Sequence, residues 1–478
     1  MLTYTLSSLI NKNREGFMTS EKVHNIQTDR QLFVDDFLIS ELKGASRTLH
    51  SPLRSDVAIE GDKPWDLEPA VGSFIQDGDK FKAWYRSDHD SDLVHGRSGH
   101  DTLYAESLDG KIWEKPDLGL FEANGSTHNN IIWMGPGACM LPFKDTNPDA
   151  ASDEQYKAII RTSGNDEEFG VPRRSILAAG SPDGKSWHLL KKDPVMTDWP
   201  FDSPNLAFWD DHYGEYVAYT RGIAGTGTFH GGLRWIRRTT SKDFINWTEL
   251  VPIETGEVPT EEFYSNACVK YERAPNTYLM FPSRFVHDRV PDPEWTYDTG
   301  VSDVVFMSSR DGLNFDRTFK EAFIRPGLDQ NNWHDRGIYI ERGILSVSPE
   351  EMALYGMENS HLPTQRIVRY SLRTDGFVSV TAGYDSGELI TKPICFDGSE
   401  LEINYSTSAV GSLKVEIQDE KGKALPGFSM DDCPEKFGDE IDGVVSWSGD
   451  QNLKSLAGTT VRLRFEIKDA DVYSYRFR

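Results

Sequence analysis

A short polar turn recurs along the chain and limits what it can fold into. SLDGKIW begins at Ser107, SPDGKSW at Ser181 and SKDFINW at Ser241; SSRDGLNF contributes Ser309, and a looser copy, SLRTDGF, begins at Ser371. The central acids are Asp109, Asp183, Asp243, Asp311 and Asp375, spaced by 74, 60, 68 and 64 residues. Near-constant spacing signals similar supersecondary units stacked side by side. In each copy the Asp can accept hydrogen bonds from turn N–H groups. The following ring (Trp113, Trp187, Trp247, Phe315, Phe377) can pack on a neighbouring unit.

Between these turns run short segments rich in Val, Ile, Tyr, Phe and Trp, broken by Gly, Asp, Asn and Pro, with almost no helical periodicity. GSFIQDGDKFKAWYR (72–86) and LAFWDDHYGEYVAYTR (206–221) each read as a hairpin. Units of 60 to 75 residues with four strands each predict propeller blades. The fold class expected is all-β: a five-bladed β-propeller followed by a C-terminal antiparallel β-sandwich. After about residue 378, alternating segments such as LKVEIQD and VRLRFEIKD replace the repeat. The expected domains are a tail over 1–28, the propeller over 29–378 and the sandwich over 379–478. Asp35 and Asp36, in QLFVDDFLIS, are expected on an N-terminal strand that closes the propeller against blade five.

Composition narrows the partners. Lys+Arg 51 against Asp+Glu 76 gives a net charge of −25, which repels phosphate backbones and argues against nucleic acid. No apolar run approaches the roughly 18 residues of a membrane helix. Four distant cysteines without a CxxC pair suggest neither a disulfide framework nor a metal site, and no cofactor motif is found. The opening residues lack a basic n-region, so a cytoplasmic protein is expected.

In a propeller, the first strand of each blade starts, and the second ends, at one rim of the central channel. Four second strands end in Arg: Arg86, Arg161, Arg221 and Arg284. They serve either as inter-blade ion-pair partners or as contacts to a sugar or carboxylate. The same rim receives Asp66 and Glu68 from PWDLEPAVG, Asp202 from FDSPNLAFW, Glu261 and Glu262 from PTEEFYSNA, and His334, Asp335 and Arg336 from NNWHDRG. Acids converging from different blades suit glycoside hydrolysis, where one carboxyl protonates the leaving oxygen and another attacks the sugar or activates water. Asp66 and Asp202 could instead be turn residues. Neighbours on a strand face opposite sides, so only one of Glu261 and Glu262 can serve. Alternation with Tyr264 and Asn266 favours Glu262. Trp65 could stack on a sugar, and His128 and Asn130 could bind hydroxyls, although packing and turn duties are equal alternatives.

These segments resemble glycoside hydrolase family 32, related to the arabinanase-type family 43. The resemblance rests on RTLHSP (47–52), PWDLEPAVGSFIQDGDKFKAWYR (64–86), FDSPNLAFWDDHYGEYVAYTR (201–221) and PTEEFYSNA (259–267). It implies a five-bladed propeller with a C-terminal sandwich and an exo-acting hydrolase that removes a terminal sugar. Glu68-Pro69 matches the family's first motif, where Glu stands in place of Asp. Asp202 matches the stabilising Asp of the Arg-Asp-Pro motif, and Glu261, or else Glu262, matches the acid/base Glu. Two other functions suit the same residues. One is a sialidase-like or uronide-directed glycosidase with Tyr264 as nucleophile and Arg86, Arg221 and Arg284 holding the acid group. The other is a non-catalytic carbohydrate-binding propeller.

Overall fold

A computed structural model describes residues 22–88, 100–123, 125–162, 170–172, 174–198, 201–202, 204–224, 232–258, 260–290, 299–449 and 451–478. The described residues are strands and loops, with two 3-10 turns at Gln330–Asn332 and Leu453–Ser455. No helix among them is long and apolar enough to cross a membrane.

The repeat becomes a series of antiparallel sheets. The first unit is Ala70–Asp77, Lys80–Asp88, His100–Ser107 and Ile131–Trp133, paired in that order. The second is Phe143–Lys144, Tyr156–Arg161, Ile176–Ser181 and His188–Leu189. The third is Leu206–Asp210, Glu215–Ala224, Leu233–Ser241 and Val251–Pro252. In the fourth, Val269–Lys270, Tyr278–Met280, Met307–Ser309 and Phe315–Asp316 form one sheet, and Glu262–Phe263, Ser283–Val286 and Val301–Val304 form a second above it. The fifth pairs Ile338–Ile340, Glu351–Glu358 and Arg366–Arg373 with an N-terminal strand, Leu53–Glu60, on its outer edge. The strand that completes this unit is therefore Leu53–Glu60 and not the segment of Asp35 and Asp36. Gln31–Leu32 pairs instead with the C-terminal Thr460–Phe477, and Asp35 binds Arg310 at 2.8 Å.

Four of the five turns are built alike. In each, the Ser hydroxyl donates to the Asp two residues on, as Ser107 does to Asp109 at 3.0 Å and Ser309 to Asp311 at 3.1 Å. The Asp then accepts from the backbone N–H groups two and three residues on, as Asp183 does from Lys185 and Ser186 at 2.8 and 2.7 Å. Turn carbonyls tie successive units together. Gly184 O accepts from Trp84 of the first unit at 2.6 Å, Gly312 O from Tyr219 of the third at 2.6 Å, and Gly110 O from Tyr355 of the fifth. Gly184 has φ 79, and a Cβ there would stand 2.7 Å from the Trp84 ring, so only glycine admits this approach. The bond from Tyr355 joins the last unit to the first, and Arg342 and Gly72 add backbone bonds across the same junction. A second repeat, not apparent in the motif, supports the same order. Asp77 binds Tyr156, Asp145 binds Tyr216 at 2.7 Å and Asp210 binds Tyr278, each from one unit to the next.

The fifth copy departs from the pattern. In SLRTDGF, Ser371 stands four residues before Asp375 instead of two, so its hydroxyl is out of register with the turn. Asp375 is buried and binds Arg273 at 2.9 Å, Tyr271 at 2.7 Å, Ser474 at 2.8 Å and Arg30 at 3.5 Å. Burial raises its pKa, but the two arginines outweigh that and hold the carboxyl below the usual range. This acid fastens the repeat units to a ten-stranded sheet.

That sheet centres on Thr460–Phe477, which pairs with Leu401–Gln418 along most of its length. Strands from both ends of the chain join it, including His24–Gln27 and Ala45–Leu49. Its apolar face buries Phe33, Ile403, Tyr405, Phe465, Tyr475 and Phe477. Each such side chain contributes about 1.5–3 kcal/mol on removal from water. All four cysteines are free thiols, and Cys139, Cys268 and Cys433 are buried.

Candidate functional site

The start of each inner strand and the end of the next meet at one edge, because an antiparallel hairpin brings them together. Ala70 pairs with Arg86, Ala138 N donates to Arg161 O at 2.7 Å, and Arg221 N donates to Asn205 Oδ1 at 3.1 Å. Contacts between units show that these edges converge. Arg221 of the third unit lies 3.6 Å from Asp202 and donates to the carbonyl oxygen of Tyr264 in the fourth. Asn266 donates to Pro204 O at 3.2 Å across the same junction. The Tyr264 ring meets Tyr339 of the fifth unit at 5.4 Å. The fifth unit closes on the first where Gln365 donates to Pro69 O at 3.3 Å. Glu68, beside Pro69, is half-buried, and its N–H donates to Ser87 Oγ at 3.3 Å.

Strand alternation separates the two adjacent glutamates. Glu262 shares a face with Phe285 and binds Arg234 at 2.9 Å, with His287 3.5 Å from its other oxygen. Arg234 also lies over the rings of Phe285 and Tyr264, at 4.7 and 4.9 Å. Glu261 points the other way, where Arg284 holds it at 2.9 Å and the fully buried Arg317 at 3.1 Å. Arg284 also binds Asp303 at 2.6 Å, and these two acids drive its pKa up against the cost of burial. Arg284 thus sits in a structural ion cluster on the face away from Tyr264. A cleft of about 1110 Å³ opens on that side, lined in part by Arg284, Asp303, Arg325 and Trp333. It contains none of Asp202, Glu262 and Tyr264.

Other sequence candidates fall into two groups. Asp66, Trp65 and Asn130 form a closed network. Asp66 is fully buried and binds Lys115 at 2.5 Å and Tyr85 at 2.8 Å, while Asn130 accepts from Trp65 and donates to Tyr85, both at 3.1 Å. Burial pushes the Asp66 pKa up against these partners. His128 is an exposed surface residue 3.4 Å from Asp117. At the mouth, Asp335 is buried and binds Arg336 at 2.8 Å, and His334 Nδ1 lies 2.6 Å from Asp335 O. Arg86 reaches Cys139 Sγ in the second unit at 3.7 Å.

Two site residues were missed by the sequence reading. Tyr339 lies on the inner strand of the fifth unit and Glu341 just past its end, both opposite in facing to the core residues Ile338 and Ile340. The Tyr339 hydroxyl is buried without a hydrogen-bond partner among the described residues, and it feels the charges of Arg336, Arg221 and Asp202. Glu341 accepts from Gly72 N, and burial pushes its pKa up to about 8 despite the nearby Arg86. The signal was present as the polar alternation in Ile-Tyr-Ile-Glu, but it lies outside the turn and strand-end pattern. Among the described residues, no group of three or more His, Cys, Asp or Glu is placed to hold a metal ion.

No protein-family model matches the chain, and no curated protein matches it. Solved structures are similar to it at low identity. A glycosyl hydrolase from Bacteroides ovatus is 14% identical over 72% of this chain and 96% of that one, with a TM-score of 0.42. A family 43 arabinoxylan arabinofuranohydrolase from Bacillus subtilis is 13% identical over 86% and 95%, with a TM-score of 0.40. A structure from the GH130 family of mannoside phosphorylases, which contains hydrolases of β-1,2 mannosidic linkages in Candida mannan, is 15% identical over 72% and 96%, with a TM-score of 0.41.

Proposed function

We propose that the chain is a glycoside hydrolase: a five-bladed propeller braced by a C-terminal sandwich, removing a terminal sugar at the mouth of its channel. The observation that carries this reading is the meeting of acids from separate units around Tyr264. Asp202 arrives from the third unit with Arg221, Glu262 from the fourth with Arg234, and Asp335 from the fifth with Arg336. Glu68 completes the set from the first. Hydrolysis needs two carboxyl groups on opposite sides of the scissile bond. Their places beside the channel mouth suit Asp202 and Glu262 to activate water or stabilise an oxocarbenium-like transition state. Glu68, the half-buried acid that the first unit brings to this edge, is assigned proton donation. Glu262 takes the role that the resemblance divides between Glu261 and Glu262, because Glu261 is locked between two arginines.

The test is a screen of aryl glycosides and plant and marine oligosaccharides, followed by Asp202→Asn, Glu262→Gln and Glu68→Gln on the best substrate. Loss of turnover in all three while each variant stays folded at the assay temperature supports the reading, and full activity in all three ends it.

A second reading has a specific observation behind it. Two guanidiniums, Arg221 and Arg234, lie over the Tyr264 ring at 4.3 and 4.9 Å, which sets this tyrosine among cations. A tyrosine nucleophile of the sialidase kind would use it. Tyr264→Phe then abolishes turnover, whereas the carboxylate mechanism leaves a measurable rate.

A further inference from the structure

The channel mouth is richer in arginine than a chain of net charge −25 would lead one to expect. Three of these arginines are products of the repeat. Arg86, Arg161 and Arg221 occupy the same place in the first three units, at the end of the second strand and beside the start of the inner one. Two of them lean over the mouth of the next unit, Arg86 onto Cys139 and Arg221 onto the Tyr264 carbonyl. Arg234 and Arg336 complete a collar around Tyr264 and Tyr339.

Charges in this collar do not cancel. Arg221, Arg234 and Arg336 are matched by Asp202, Glu262 and Asp335, one acid each. Arg161 has no acid within ion-pair distance among the described residues, and its half-buried guanidinium leaves Nε buried without a hydrogen-bond partner. Glu68 and Arg86 both come from the first unit and add one charge of each sign, and Glu341, the other acid here, is mostly protonated at neutral pH and adds little negative charge. A partly desolvated guanidinium without a counter-charge is costly, and an anion that binds two of its N–H groups relieves that cost.

We infer that the glycan taken at this mouth is anionic, and that Arg161 reads its carboxylate or sulfate ester with Arg86 and Arg221 flanking it. The inference rests on the glycosidase reading and adds the substrate class to it. Uronates and sulfated sugars share the chemistry that matters here, a planar or tetrahedral oxyanion able to take paired N–H donors.

The experiment uses the full chain on an array holding neutral, uronate-containing and sulfated glycans, followed by calorimetry on the bound members at 20 and 200 mM salt (about a threefold change in Debye length). The expected bound members all carry a uronate or a sulfate ester, and their binding weakens at the higher salt. Arg161→Gln weakens binding by about ten-fold or more, Arg161→Lys loses less, and both variants melt near the wild type because no ion pair is lost. Carboxyl-reduced and desulfated versions of the bound glycans identify which anion is read. Neutral glycans bound as tightly as anionic ones, no anionic glycan bound, or unchanged binding in Arg161→Gln would each overturn the inference. Product analysis on the same glycans separates the two claims. Cleavage of neutral glycans alone leaves hydrolysis standing and sinks the anionic class, while anionic glycans bound but never cleaved do the reverse.

Discussion

The Arg221 guanidinium of the third unit lies 4.3 Å above the ring of Tyr264 in the fourth and 3.6 Å from Asp202 in its own unit. One side chain thus couples a candidate catalytic acid to the aromatic platform of the neighbouring unit. Arg221→Lys keeps the charge but loses the flat guanidinium face and its forked donors. The expected outcome is a fall in kcat/KM of about ten-fold or more, with most of it in kcat if Asp202 is misplaced. Steady-state kinetics on the screened substrate checks this.

Glu261 and Glu262 differ in what their loss does. Glu261→Gln strips a carboxylate from the buried Arg317 and from Arg284, and a broken buried pair costs about 3–5 kcal/mol. Thermal melting should show that loss. Glu262→Gln gives up one arginine where Glu261→Gln gives up two, so it should melt closer to the wild type and lose turnover. The reverse assignment of stability and rate would contradict the strand alternation on which the site rests.

Glu341 makes stability depend on pH in an unusual direction. Its folded pKa of about 8 lies above the ordinary glutamate value of 4.5, so between the two the folded state keeps a proton that the unfolded chain has lost. Its contribution is fully present below pH 4.5 and declines as pH rises to about 8. Glu341→Gln removes that decline, so the urea midpoints of variant and wild type should differ more at pH 8 than at pH 5, with the variant favoured at pH 8.

The sequence made the turns legible because their function is local. A Ser, an Asp two residues later and an aromatic beyond it need only each other to form, and four of the copies behave as the spacing predicts. Asp375 broke the pattern because one register shift freed it for Arg30 and Arg273, partners distant in sequence. Asp202, Arg221 and Tyr264, all near strand ends, lie against one another in the structure. Strand-end positions could not separate a site acid from a structural one. Asp66 is closed off by Lys115, which lies 49 residues away and carries no motif. Tyr339 and Glu341 escaped notice because their surroundings form only where the last unit meets the first, as at the bond from Gly72 N to Glu341.

The turns themselves carry stability. Asp243 is held at about 2, where hydrogen bonds from Asn246, Ile245 and Ser241 outweigh the burial penalty. A folded pKa below the usual 3.8 contributes stability above that pH, and it is lost as pH falls through about 2. Asp243→Ala should cost about 1 kcal/mol at pH 7, as loss of a capping side chain does, and the difference should shrink in acid. Urea denaturation at the two pH values checks it.

Tyr339 separates folding from binding. Its buried hydroxyl has no partner among the described residues, so Tyr339→Phe should hold or slightly raise the melting temperature. If the hydroxyl serves the sugar, KM rises in the same variant. Melting and kinetics on one preparation show both effects.

Asp202 is the most direct probe of the whole account. The measurement is the rate of glycosidic cleavage by Asp202→Asn relative to wild type, followed by proton NMR of the released sugar. A drop of about a hundred-fold or more with an unchanged melting temperature is predicted for a carboxylate that acts on the reacting sugar. Release of the sugar at the wild-type rate would contradict the convergence of these acids on a common substrate.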